Sequence, residues 1–370
     1  MISAKKNEHR TVAVCLGVTA CIALILTGCG SRPVASEATQ GALLAASKPL
    51  SLSQITIGAV PAGDTWTAYV ALAKGYFKDE GLNVTLVPFA SGVALGTALI
   101  GGSIDFAMEG PNTVWAGILQ GADLKSIMAT ELGIDGQIIM SRTYATAHGL
   151  TDKSSPVKII KALRGASIAV SPPGGSLYAW TSLLLSKAGI NPRKDATLVP
   201  IAGGSAQLAA FEAGRVDAWV FLTPSTTEAV TRDHALAVNL SDDPEVPQFS
   251  NWPVDTYATT QTTILNHPDT VQALTVAVLR AANFITHNRK AATAILSESR
   301  FLGPLPAGGT NLDFHNISNG VLLNAKSFAA EVVINEAIFG KSLKSFTPSD
   351  VEDLTFGAKA AKELQALKKK

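Results

Sequence analysis

An α/β fold of two facing lobes is what this sequence predicts, on three observations. The segment Thr85 to Met108, TLVPFASGVALGTALIGGSIDFAM, returns without a gap as Thr197 to Val220, TLVPIAGGSAQLAAFEAGRVDAWV, with ten of 24 positions identical. Each copy belongs to a series running strand, helix, strand, helix, strand, the order of a parallel α/β unit. Two further apolar strands, one between the units and one after the second, give the chain two passages between lobes.

The elements follow in order. Lys5, Lys6 and Arg10 precede an apolar run, Thr11 to Leu26, that is too short for a membrane span and has the form of a secretory signal. Leu26-Thr27-Gly28-Cys29 then resembles a bacterial lipobox, which implies a signal peptide over 1–28 and a lipidated Cys29 as the first mature residue. Cys15, Cys21 and Cys29 are the three cysteines, so the exported part carries no disulfide and no thiolate metal site. Residues 29–53 are rich in Ser, Ala and Gly without a hydrophobic period and are expected to form a flexible tether.

In the first unit, Ile55 to Val60 alternates and stops at a PAGD turn, as a strand does. TWTAYVALAKGYF has helical spacing, NVTLVPF is a second strand, VALGTALIGG a short helix and IDFAMEG a third strand. The second unit repeats the order with strand Ser167 to Val170, helix LYAWTSLLLSKAG, strand ATLVPI, helix SAQLAAFEAG and strand VDAWVFL. Gln137 to Ala145 looks like the outward crossing, and TYATTQTTIL the return. NHPDTVQALTVAVLRAANFITHN is a strong amphipathic helix with Pro268 in its first turn. The final helix is expected to open on a Ser349 and Glu352 capping box, while residues 300–345 give no clear pattern. The expected division is 54–140 with 256–370 as lobe 1, its C-terminal helices packed there, and 141–255 as lobe 2.

With 47% hydrophobic residues, 370 positions suffice for two medium cores. A net charge of +1 leaves no basic field for nucleic acid. The six histidines, His9, His148, His234, His267, His287 and His315, show no metal-ligand spacing, and no GxSxG elbow occurs. Neither metal nor cofactor is expected, and an enzyme is the weaker reading.

IGAVPAGDTWTAYVALAKGYFKDEGLNVTLVPF, ALIGGSIDFAMEGPNTVWAGILQGADLKSI and NHPDTVQALTVAVLRAANFI, in this order, resemble the nitrate/sulfonate/taurine (NitT/TauT) substrate-binding proteins of ABC importers. The resemblance covers roughly residues 53 to 295. It implies the two-lobed periplasmic-binding-protein-like (type II) fold with two hinge crossings. It further implies a monomeric, lipid-anchored extracytoplasmic protein that closes on a small-molecule solute and docks on an ABC permease driven by its ATPase. An enzyme of thiamine-precursor synthesis, which some relatives of the fold are, and a binding protein for a heteroaromatic pyrimidine remain as alternatives.

In parallel α/β units ligands sit beyond the carboxyl ends of strands, at helix N-termini. Lobe 1 then offers Asp64, Thr65 and Trp66, then Ser91 and Gly92, then Glu109, Gly110, Asn112 and Thr113. Lobe 2 offers Ser171, Gly174, Gly175 and Ser176, then Gly204, then Thr223. Ser176 either meets the ligand or caps its own helix. Trp66 and Trp115 follow strand ends and can wall a ligand, whereas Trp180 and Trp219 read as core. Asp105 and Asp217, each three residues after a glycine, are expected to bind local backbone. None of the six loops carries Arg or Lys, while Asp64 and Glu109 bring carboxylates. Arg142 is either a hinge salt bridge or a crevice cation. An anion held by neutral dipoles, a zwitterion and a stacked heterocycle all fit, with a sulfonate-like anion or small zwitterion preferred.

The lipobox makes a direct prediction. Processing of the precursor is blocked by globomycin and lost on Cys29→Ala; cleavage indifferent to both contradicts an anchor.

Overall fold

The computed structural model describes residues 53–62, 65–134, 136–222, 225–240, 244, 247–254, 256–299, 314, 317, 318 and 323–367. The expected signal peptide, Cys29 and the tether up to residue 52 lie outside them. Everything below belongs to the unit Pro49–Lys370.

β1 (Gln54–Ala59), α1 (Trp66–Ala73), α2 (Tyr76–Asp79), β2 (Asn83–Pro88), α3 (Gly92–Ile100), β3 (Phe106–Glu109), α4 (Pro111–Leu119) and β4 (Leu124–Ala129) come first. β5 (Gln137–Met140), α5 (Arg142–Ala147), α6 (Pro156–Lys161), β6 (Ser167–Val170), α7 (Ser176–Lys187), β7 (Thr197–Pro200), α8 (Gly204–Glu212), β8 (Ala218–Phe221), α9 (Ser225–Asp233) and β9 (Leu236–Asn239) follow. β10 (Thr256–Thr260) leads into α10 (Gln261–Asn266), α11 (Pro268–His287), α12 (Arg289–Ser297), α13 (Ala325–Phe339), α14 (Pro348–Val351) and α15 (Thr355–Leu367).

Two five-stranded sheets result, in the orders β2-β1-β3-β10-β4 and β7-β6-β8-β5-β9. In each, the first three strands are parallel, and the inserted strand, β10 or β5, runs against both neighbours. The expected α/β fold of two lobes is therefore present, and the doubled segment is β2-α3-β3 in one lobe and β7-α8-β8 in the other.

The repeat has a chemical basis at its turns. Gly102 and Gly214 adopt φ of +69° and +65°, a region that a β-carbon disfavours. Each turn sets an aspartate three residues on. Asp105 Oδ2 accepts from the Thr56 backbone N–H at 2.7 Å and its hydroxyl at 2.8 Å. Asp217 Oδ2 does the same with Ser167, at 2.8 and 2.6 Å. Both aspartates thus fasten the start of one parallel strand to its neighbour, as local backbone ligands.

Helices cover both faces of the first sheet. Val271, Leu274, Val278 and Ile285 of α11 share one buried cluster with Val70 of α1 and Ile57 of β1, while Leu95, Leu99 and Trp115 form the other. The α11 stripe is the one its sequence spacing predicts, and Pro268 stands in its first turn, where a missing N–H costs nothing. The second lobe has a core that includes Trp180, Leu184, Trp219 and Phe249. Trp219 is core as expected, its Nε1 donating to Gln207 Oε1 at 2.5 Å. No helix among the described residues is long and apolar enough to cross a membrane.

Three expectations change. Gln137–Met140, placed at the end of lobe 1, is the β5 strand of the second sheet, because its backbone pairs with both β8 and β9. The final helix is two helices: Thr347 and Asp350 form the capping box, and Glu352 breaks off into extended backbone bridged to Ser126. Between them and α12 stands α13, which the sequence did not reveal, and it belongs to neither lobe alone. Its Ile334 joins the second core and Phe328 and Val332 pack on the first. Glu331 on the same helix is fully buried and accepts from Trp115 Nε1 at 2.7 Å. Burial, then the neighbouring Glu352, hold its carboxyl well above the ordinary range, and burial alone pushes Glu352 up to about 7.

Asp105→Ala and Asp217→Ala each remove two hydrogen bonds to a charged acceptor. Each is expected to cost about 2 kcal/mol, read from urea unfolding; losses under about 0.5 kcal/mol contradict the role assigned to the pair.

Candidate functional site

The parallel strands of each lobe end at one edge, and the two edges meet around a cavity of about 70 Å³. From the first lobe it is lined by Val60 after β1, by Ser91, Gly92 and Leu95 at the start of α3, and by Met108, Glu109 and Gly110 at the end of β3. From the second it receives Ser171, Gly175, Ser176, Leu177 and Trp180 around the start of α7, Gly203 before α8, and Phe221 and Leu222 at the end of β8.

The walls touch. Ser176 Oγ donates to Asn112 Oδ1 at 2.5 Å, and Asn112 Nδ2 donates to the Gly174 carbonyl at 3.4 Å. Gly110 lies under this clasp: a β-carbon there would stand 3.2 Å from that of Ser176 and closer still to its hydroxyl. Lack of a side chain at 110 is what lets the lobes approach.

Four helices begin at the cavity. Ser91, Gly110, Gly175 and Gly203 are the N-cap residues of α3, α4, α7 and α8, and all line it. First-turn N–H groups have no intrahelical acceptor, and the four positive dipole ends converge on one small space. Two hydroxyls take up some of these donors: Ser91 Oγ accepts from Ala94 N and Ser171 Oγ from Tyr178 N.

Against this donor-rich lining stands one acid among the described residues. Glu109 is 2% exposed, and neither carboxyl oxygen meets a hydrogen-bond donor. No Arg, Lys or His lines the cavity among the described residues. Burial without a counter-charge pushes the Glu109 carboxyl up to about 8, so it is neutral at pH 7. The Trp180 indole N–H is likewise buried without an acceptor, and so is the hydroxyl of Thr113, beside Gly92 and Gly96.

Most of the expected residues gather here, with corrections. Ser91, Gly92, Glu109, Gly110, Ser171, Gly175 and Ser176 line the cavity; Asn112 and Gly174 clasp it. Gly204 stands behind Gly203 against the Phe221 ring, too close for a β-carbon. Ser176 does not cap its helix, since Gly175 holds that position. Thr65 and Trp66 are not in the cavity. Thr65 Oγ1 donates to the Ala62 carbonyl at 2.7 Å, and Trp66 is buried in the first core, edge-on to Phe314. Trp115 is also core, packed on Phe328 and Phe346. Trp180 is in the second core, as expected, edge-on to Trp252, and one edge of it also lines the cavity. Its spacing from Ser176 is one helical turn, which places both on one face of α7. Arg142 lies on the surface, bonded to the His234 carbonyl and Asp152, away from the crevice. Asp64 and Thr223 lie outside the described residues, which contain no cluster of possible metal ligands.

Known proteins share this architecture. The sequence profile of the NMT1-like family matches residues 48–298. A Bacillus subtilis (strain 168) protein provisionally named an aliphatic sulfonates-binding protein is 28% identical over 211 residues; the match spans 56% of this chain and 56% of that one, little more than half of each. Among solved structures, the alkanesulfonate-binding protein SsuA of Xanthomonas axonopodis pv. citri, bound to MOPS, superposes with a TM-score of 0.63 at 19% identity, covering 84% of this chain and 98% of that one. The periplasmic nitrate-binding protein NrtA of Synechocystis PCC 6803 gives 0.67 at 16%, covering 86% and 91%. At such identities the likeness is one of fold.

Gly110→Val tests the contact between the walls. Overpacking costs about 1–3 kcal/mol, here falling on the closed form, so the closed-to-open ratio drops by about fivefold to a hundredfold and small-angle scattering gives a larger radius of gyration. An unchanged radius contradicts the clasp.

Proposed function

The chain belongs to the NMT1-like family, and we propose that it is the solute-binding component of an ABC importer, closing its two lobes on a small oxyanion or zwitterion of the nitrate, sulfonate or taurine kind. One observation carries the reading: four helix N-termini from two lobes converge on one cavity between them. Such ends bind anions through backbone N–H groups and need no basic side chain. The names of the relatives, which bind alkanesulfonates or nitrate, point the same way.

The size of the cavity supports a solute far smaller than a drug-like ligand, whose pockets run roughly 300–1,000 Å³. In this proposal the backbone at Ser91, Gly92, Gly175 and Ser176 holds the anionic head, while Asn112 and Gly174 keep the lobes shut. Lobe 1 consists of β1 to β4 with β10 and the helices on both its faces; lobe 2 runs from β5 to β9. Cys29 carries the lipid anchor outside the cytoplasm, and the closed form docks on a permease and its ATPase.

Thermal shift on the mature protein tests this. A solute at about a hundred times its Kd adds about 2.7 kcal/mol, worth about 4 °C at this size. Stabilisation by nitrate, an alkanesulfonate, an amino-sulfonate or a small carboxylate is expected. Indifference to all of them removes the proposed ligand class, and a response confined to pyrimidines favours a heteroaromatic solute.

A further inference from the structure

The structure points to a specificity that the solute-binding reading leaves open, and the inference rests on that reading. We propose that Glu109 is the specificity-determining hydrogen-bond donor of the cavity, a carboxylic acid that selects small oxyanions without an ammonium group and whose proton their capture requires.

The hydrogen-bond inventory leads there. Part of the acceptor capacity in the walls is engaged: Ser91 and Ser171 accept backbone N–H groups, and Asn112 Oδ1 accepts the Ser176 hydroxyl. Against these, the first turns of four helices supply backbone donors at the cavity, and the unpaired Trp180 indole N–H is buried in its wall. A site with donors to spare matches a ligand made of acceptors. Among the described lining residues an ammonium would find one carboxylate, Glu109, in a wall that also carries Leu95, Met108, Leu177 and Leu222. A free oxyanion beside an ionised Glu109 would bring two like charges into one small space. A protonated Glu109 resolves both conflicts by adding a donor.

Among the described lining residues no second titratable group stands with Glu109. Gly96 of α3 lies beside its carboxyl and beside Thr113 of α4, and Glu109 shares the cavity lining with Val60, Leu95, Leu177 and Trp180. On β10 the neighbour is Thr256, whose hydroxyl donates to the Glu109 carbonyl at 3.2 Å, and Tyr257 is engaged by Thr67. At the far end of β3, Asp105 is held by Thr56. Burial keeps the Glu109 carboxyl protonated up to about pH 8. An anion binds the protonated form, so affinity is full below that pH and falls as pH rises through it.

Calorimetry of the mature protein with nitrate, ethanesulfonate and 2-aminoethanesulfonate from pH 6 to 9.5, in two buffers of different ionisation enthalpy, tests the coupling without a variant. Affinity for the first two should fall about tenfold per pH unit above about 8, with uptake approaching one proton per anion. Glu109→Gln should bind a few-fold more weakly with a flat pH profile. Carbon-13 NMR of the ligand-free carboxyl is the independent arm: titration near or above pH 7, absent in the variant, is expected. Titration below pH 6, anion binding indifferent to pH, or preference for the amino-sulfonate with proton release each overturn the proposal. A neutral Glu109 in a protein that binds none of the three refutes the importer reading for this ligand class, and the coupling with it.

Discussion

Two strands, β5 and β10, run against both neighbours between which they lie, and the rest of the molecule is arranged around that reversal. A chain that builds one parallel unit, leaves it, builds a second and returns must add its connecting strands in the opposite sense. Each inserted strand is hydrogen-bonded on both sides; the second sheet is built from the consecutive strands β5 to β9, and the first is not complete until the chain has passed through the second and returned as β10. The parallel strands are left with their carboxyl ends on one edge per lobe, where helix N-termini collect. A crevice walled by four of them follows from topology before any side chain is specified.

Side chains then decide what the crevice offers. Glycine at 110 lets the walls meet, and Asn112 with Ser176 and Gly174 holds them. α13 ties the two cores together from outside the crossings, at the cost of burying Glu331 beside Glu352. Burial of a charge without a partner is resolved by protonation rather than by paying its full desolvation. The same physics governs Glu109, at a position where a proton has chemical consequences.

Much of the fold was legible because the repeat is written in backbone-determining residues. Gly102 and Gly214 set the left-handed turns, Asp105 and Asp217 fasten the strands, and strand exits predicted the cavity wall from Ser91 to Ser176. Tryptophans were harder to place. Trp180 and Trp219 are core as their positions inside a helix and a strand suggest, but Trp66 and Trp115 are core too, because following a strand end does not say which way a helix residue faces; the one-turn spacing from Ser176 is what also brings Trp180 to the cavity. The lobe boundary slipped at Gln137 because an apolar strand carries no mark of which sheet it joins. α13 escaped notice because its apolar residues serve two different cores, which spreads them around the helix and blurs a single stripe.

The central claim is that a solute is held by helix N-termini of both lobes at once. Hydrogen exchange with and without ethanesulfonate addresses it most directly. Amides in the first turns of α3, α7 and α8 should slow together on addition of the solute, with the outer surface around α5 unchanged. Protection confined to one lobe, or located at α5, would contradict the account.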